Sequence, residues 1–205
     1  MSAVLDHIDA QHDRSREELF EFLRIPSVSA RSEHRDDTRR AAAWLQDRMR
    51  DIGLETSLHD TDGHPIVLGE WRGNGEDAPT LLIYGHYDVQ PPEPLDEWSS
   101  PPFEPTERDG RIYARGSADD KGQLYMHVKA LEALAATRDR LPVNLVLLAE
   151  GEEEIGSPHL VPFVDEHRER LACDLVVISD TSMFAVVLPS LLSPRIVLDL
   201  LETET

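Results

Sequence analysis

A chain of 205 residues, 40% of them hydrophobic, can bury one sizeable core, and this composition excludes a disordered protein. Its formal charge of −20 is repelled by nucleic acid and by anionic membranes, so neither is an expected partner, and the acidity reads as a solvated surface. No run approaches the ~20 apolar residues of a membrane span, and a single cysteine, Cys173, excludes a disulfide framework and fits a reducing, cytoplasmic setting.

The N-terminal residues are charged and helical in pattern, so no signal peptide is expected. Val4, Ile8, Leu19, Phe20 and Leu23 predict a helix over 4–24, stopped by Pro26. A second helix is predicted over 36–52, with Ala42, Leu45 and Met49 on one face and Gly53 just past its end. Short strands follow at 54–59 and 66–71, and then a turn over Arg72–Pro79. Thr80–Tyr84 is a continuous apolar strand that stops at Gly85. Residues 91–109 are proline-rich and aperiodic, a long loop of the kind that is functional or disordered. Beyond it come a helix over 120–137, a buried strand at Val143–Ala149, a helix over 158–170 and a buried strand at Leu175–Ser179. This alternation predicts an α/β fold, a three-layer sandwich with a mostly parallel central sheet. Three of the strands end at Gly85-His86, Glu150 and Asp180. In open α/β sheets, sites gather at the carboxyl ends of strands.

The acidic and imidazole residues at those ends carry the chemistry. In His86-Tyr87-Asp88, residues two apart in an extended segment share a face. The aspartate can then hold the imidazole N–H and fix the ring; a surface histidine beside a charge is the plainer alternative. In Arg115–Gly122, the adjacent Asp119 and Asp120 cannot both sit unscreened in a site without a cation, and one carboxylate can bridge two metals ~3.5–4 Å apart. A polar turn capping the helix that starts near Asp120 accounts for the segment equally well. Glu150, Glu152, Glu153 and Glu154 follow directly on a buried strand, which is costly unless something positive is near. They fit a metal ligand beside a general base, or an acidic helix start. Asp180, taken alone, fits a turn. Carboxylate and imidazole together suit hard and borderline divalent ions.

In combination, five segments strongly resemble the M20 metallopeptidases. They are His86-Tyr87-Asp88-Val89-Gln90-Pro91, the loop with Trp98 and Pro101-Pro102-Phe103, Arg115–Gly122, Glu150–Ser157 and Ile178–Asp180. The closest look is to the dipeptidase branch, the carnosine-dipeptidase-like enzymes. Leu19–Ser29 also looks like that family's N-terminal helix end, and the resemblance covers roughly residues 15–190. It implies that His86 binds a first metal, that Asp88 orients His86, and that Asp119 bridges two metals next to a cis peptide to Asp120. Glu153 is then the general base that activates the water, Glu154 a ligand of the second metal, and Asp180 a ligand of the first. The implied cofactors are two Zn²⁺, with Mn²⁺ as the alternative, and the implied substrate is a small peptide, above all a dipeptide. Aminoacylase-type amide hydrolysis and a non-catalytic metal-binding remnant are the other readings.

Members of that family are about twice as long. They insert a lid domain that dimerises, then return to the catalytic domain and supply a last histidine to the second metal. On this reading residues 1–190 are the N-terminal part of a catalytic domain, incomplete relative to the family's, and 191–205 form a divergent or truncated tail. The same reading expects the lid, and the homodimer contact it carries, to be absent from these residues. No histidine follows His167. His159 and His167 are expected to face solvent and to make poor substitutes, leaving the second metal with Asp119 and Glu154 alone.

Overall fold

The computed structural model describes residues 2–181. The boundary at 190 and the tail 191–205 lie outside those residues. The predicted first helix is two: α1 (Ser2–Ala10) and α2 (His12–Leu23). They break at Gln11, where the apolar stripe lapses between Ile8 and Leu19 and each helix packs by itself. Helix α3 (Arg35–Asp51) buries Thr38, Ala41, Ala42, Leu45 and Met49, a stripe at helical spacing. It ends as the sequence predicts. Gly53 takes φ +91°, and Leu54 N–H reaches back to the Met49 carbonyl.

The central sheet has five strands. β1 (Glu55–His59) and β2 (Ile66–Trp71) pair antiparallel. Their six-residue connection is too short for the crossover that a parallel pair requires. β3 (Thr80–His86) lies parallel to β6 (Asn144–Glu150) and to β7 (Leu175–Ile178). The spatial order is β1-β2-β6-β3-β7, with β2 antiparallel to β6. The sheet is therefore mixed, and its parallel half, β6-β3-β7, is the half whose carboxyl ends meet.

Its inner strands β6 and β3 are near-continuous apolar runs because helices cover both faces there. Leu145, Leu147 and Ala149 of β6 point into the larger core with Phe22, Leu45, Leu124 and Leu131. Val146 and Leu148 point the other way, onto Phe163 and Leu171. The larger core lies under α1, α2, α3 and α4 (Lys121–Thr137), and the smaller under α5 (Leu160–Glu166), which gives the three layers. α5 is shorter than predicted.

The long loop is not wholly irregular. β4 (Thr106–Arg108) and β5 (Arg111–Tyr113) form a hairpin around Asp109-Gly110, both at positive φ. Asp-Gly is the dipeptide such a tight turn selects. β7 also departs from expectation. The sequence predicts it buried, yet Leu175, Val176 and Ile178 are about half exposed, because among the described residues it is an edge strand flanked only by β3. No helix among the described residues is long and apolar enough to cross a membrane.

Candidate metal centre

Register sets the site. His86 lies opposite Glu150 on β6, and Tyr84 lies opposite Ile178 on β7. Two residues further on, His86 and Asp180 therefore leave the sheet side by side. Asp119 arrives from the loop that enters α4, across the Asp119–Asp120 cis peptide.

His86 is wholly buried. Its Nδ1 lies 3.1 Å from the Asp88 carbonyl oxygen and 3.3 Å from Asp88 Oδ1. Both are acceptors, so Nδ1 carries the hydrogen and Nε2 faces the other acids. Nε2 lies 3.2 Å from Asp119 Oδ1, 3.6 Å from Asp180 Oδ2 and 3.9 Å from Glu153 Oε2. It is buried and has no hydrogen-bond partner. One ligand atom each from His86, Asp119 and Asp180 falls within a 4.8 Å group. Burial alone would lower the His86 pKa. The hydrogen bond and charge of Asp88, with the charges of Asp120 and Glu153, outweigh burial and lift it to about 10. An unpartnered imidazole nitrogen aimed at carboxylates fits a divalent cation, which would screen the acids and take the lone pair.

Asp120 does not cap α4 with its side chain. Its Oδ2 accepts the His86 backbone N–H at 3.1 Å, and burial pushes its carboxyl up to about 7. The helix-cap explanation of the aspartate pair therefore fails. The loop is tight: Gly116 takes φ +84°, Gly122 N–H reaches the Gly116 carbonyl, and a Cβ on Gly122 would fall well inside 3.0 Å of the Ser117 carbonyl oxygen.

Asp88 is buried between two parts of the site. Its Oδ1 meets the His86 ring and also accepts the Glu153 backbone N–H at 3.3 Å, and its Oδ2 accepts the Glu154 backbone N–H at 3.1 Å. Glu153 opens a single 3-10 turn straight after β6 and keeps its carboxylate about one-third exposed. Glu154 does not join the His86 group. Gln90 holds it, through backbone N–H to Oε1 at 3.2 Å and Nε2 to Oε2 at 2.7 Å, and burial raises its pKa. Gln90 was missed, although alternation from His86 through Asp88 put it on the same face. Glu150, a strand-end acid, faces inward and accepts from Tyr84 Oη at 2.6 Å and Ser157 Oγ at 2.8 Å. His159 and His167 are not simply solvated as expected. His159 Nδ1 pairs with Glu152 Oε2 at 2.7 Å, and His167 stacks on Phe163 at 4.2 Å. Neither belongs to the metal-binding group.

Residues 82–188 match the sequence model of peptidase family M20/M25/M40. The chain is 34% identical to the cysteinylglycine-S-conjugate dipeptidase of Corynebacterium striatum, over 90% of this chain and 41% of that protein. It is 32% identical to the beta-Ala-His dipeptidase of Homo sapiens, over 88% of this chain and 38% of that protein. Among solved structures, human carnosine dipeptidase 1 superposes with a TM-score of 0.82 at 31% identity, over 90% of this chain and 42% of that one. Dug1p, a dipeptidase of Saccharomyces cerevisiae, gives 0.80 at 28%, over 88% and 41%. The chain thus spans about two fifths of the length of the relatives it matches. On the strength of the family match, this chain belongs to peptidase family M20/M25/M40.

Proposed function

We propose that this chain carries the first-metal half of a metallo-dipeptidase centre and takes part in metal-dependent hydrolysis of peptide bonds in dipeptides. The observation that carries the reading is His86 Nε2, buried and unpartnered, facing Asp119 and Asp180 with Glu153 alongside. The dipeptidases among its relatives support the substrate class. His86, Asp119 and Asp180 would hold the ion, Zn²⁺ or Mn²⁺. Such an ion supplies Lewis acidity to the scissile carbonyl and lowers the pKa of water. Asp88 keeps the His86 ring turned so that Nε2 faces the ion. Glu153 takes the proton of the attacking water and passes it to the leaving amine, so that a C–O bond forms, the C–N bond breaks and a carboxylate and an amine leave. A second ion would draw on Asp119 and Glu154. Gln90 donates to both Glu154 oxygens, so that ion would compete with those hydrogen bonds and would be held the more weakly.

Titration with Zn²⁺ tests the reading: one tight site, abolished by His86→Ala, and a second weak one. Absence of any tight site in the unsubstituted chain refutes it. Glu153→Gln is expected to lower metal-dependent dipeptide hydrolysis by about 10²–10⁴-fold while leaving the tight ion bound. Undiminished turnover refutes the base assignment.

A further inference from the structure

Lys121 is wholly buried, which is rare for a lysine. Its Nζ donates to the carbonyl oxygens of Phe22 at 3.0 Å and Ile25 at 2.7 Å, and it lies 4.9 Å from the centre of the Phe22 ring. The Phe22 carbonyl lies in the last turn of α2 and the Ile25 carbonyl two residues past its end; each also accepts a backbone N–H, from Ile25 and Ser27, and the ammonium takes the remaining acceptor capacity of both at the negative end of the helix dipole. Two residues further on, the same segment grips the other half of the metal centre. Ser27 Oγ donates to the Tyr87 carbonyl at 2.6 Å, the Val89 N–H donates to the Ser27 carbonyl at 2.9 Å, and Val28 bridges Val89 in parallel. Ser27 and Val28 are fully buried.

We propose that Lys121 is a positioning residue for the metal centre: through Phe22–Ser29 it ties the loop bearing Asp119 to the strand end bearing His86 and Asp88, and so sets the distance between the two ligands. The segment works as a strap between the two: Lys121 holds one end of it and Ser27 the other, and His86 Nε2 and Asp119 Oδ1 stand 3.2 Å apart. The inference rests on the metal reading given above. It differs from a purely structural role in one respect. Loosening the strap must change how the ion is held, over and above any change in the stability of the metal-free fold.

The experiment uses the full 205-residue chain, Co²⁺ as probe, and the variants Lys121→Met and Ser27→Ala. For each, the Co²⁺ affinity, the visible ligand-field spectrum and the unfolding midpoint of the metal-free chain are measured. Both variants are expected to bind Co²⁺ about 10-fold or more weakly, as when a ligand's supporting partners are removed, and with a shifted absorption band. Wild-type affinity and spectrum in both overturn the proposal, even where the midpoint falls. If Lys121→Met does not fold, Ser27→Ala decides alone. If the unsubstituted chain shows no Co²⁺ band that His86→Ala removes, the metal reading itself fails and takes this inference with it.

Discussion

At pH 8.5 a divalent ion entering the His86 site has to displace a proton. The metal-free ring holds its proton up to a pKa of about 10, because Asp88, Asp120 and Glu153 outweigh the effect of burial. Only the neutral ring offers Nε2 to an ion. Apparent affinity therefore falls about tenfold for each pH unit below 10, which at pH 8.5 is ~2 kcal/mol from ~1.4 kcal/mol per unit. Asp120, with its carboxyl near 7, is ionised at pH 8.5 and contributes little there. Calorimetry in two buffers of equal pH but different ionisation enthalpy counts the protons released. About one per ion is expected at pH 8.5, with affinity rising about tenfold per unit between pH 7.5 and 9. Release of no proton, or an affinity that is flat with pH, refutes the argument: His86 is then neutral before the ion arrives, or is not a ligand. Melting of the metal-free chain is the wrong readout. The raised His86 pKa stabilises the fold below pH 6.5, and that contribution is lost as the pH rises through 10. Lys121, which burial pushes down to about 7, works in the opposite direction between 7 and 10.5.

Two substitutions test the supports of the site. Asp88→Asn replaces an acceptor shared by the His86 ring and the Glu153 and Glu154 backbone with a group that is half donor. It should weaken the tight ion about 10–100-fold by calorimetry, and unchanged affinity would remove Asp88 from the site. Gly122→Ala sets a methyl against the Ser117 carbonyl, a backbone atom that cannot rotate away. It should lower stability by about 1–3 kcal/mol in a denaturant titration and weaken metal binding at Asp119; a neutral effect on both would mean the loop is free to open.

Some of this was legible along the chain because its cause is local. β3 and β6 are read from runs of apolar residues buried on both faces, and the end of α3 from Gly53, which only a left-handed backbone position explains. The strand-end acids were visible for the same reason, since a carboxylate after a buried strand needs a reason to be there. Other features had a local signal that went unread. Asp109-Gly110 announced a hairpin inside the long loop, and the gap in the stripe after Ile8 announced the break at Gln11. What no local pattern holds is which acid meets which partner. Asp120 differs from Asp119 only in its tertiary surroundings, which turn one carboxylate to the His86 backbone and the other to its ring. Glu154 and Glu153 are likewise adjacent, yet Gln90 holds the first and the second faces Nε2.

By itself, the sequence determined which residue types are present, on which strand ends they lie and, through its motifs, which family it resembles, because burial period and turn chemistry act over a few residues. Only the tertiary structure decided that His86, Asp119 and Asp180 converge, that Asp88 serves both the ring and the glutamate turn, and that a lysine 96 residues beyond Ile25 donates to its carbonyl. Those relations depend on strand register and on the packing of α2 against α4, and long-range contacts of that kind have no counterpart in the order of the chain.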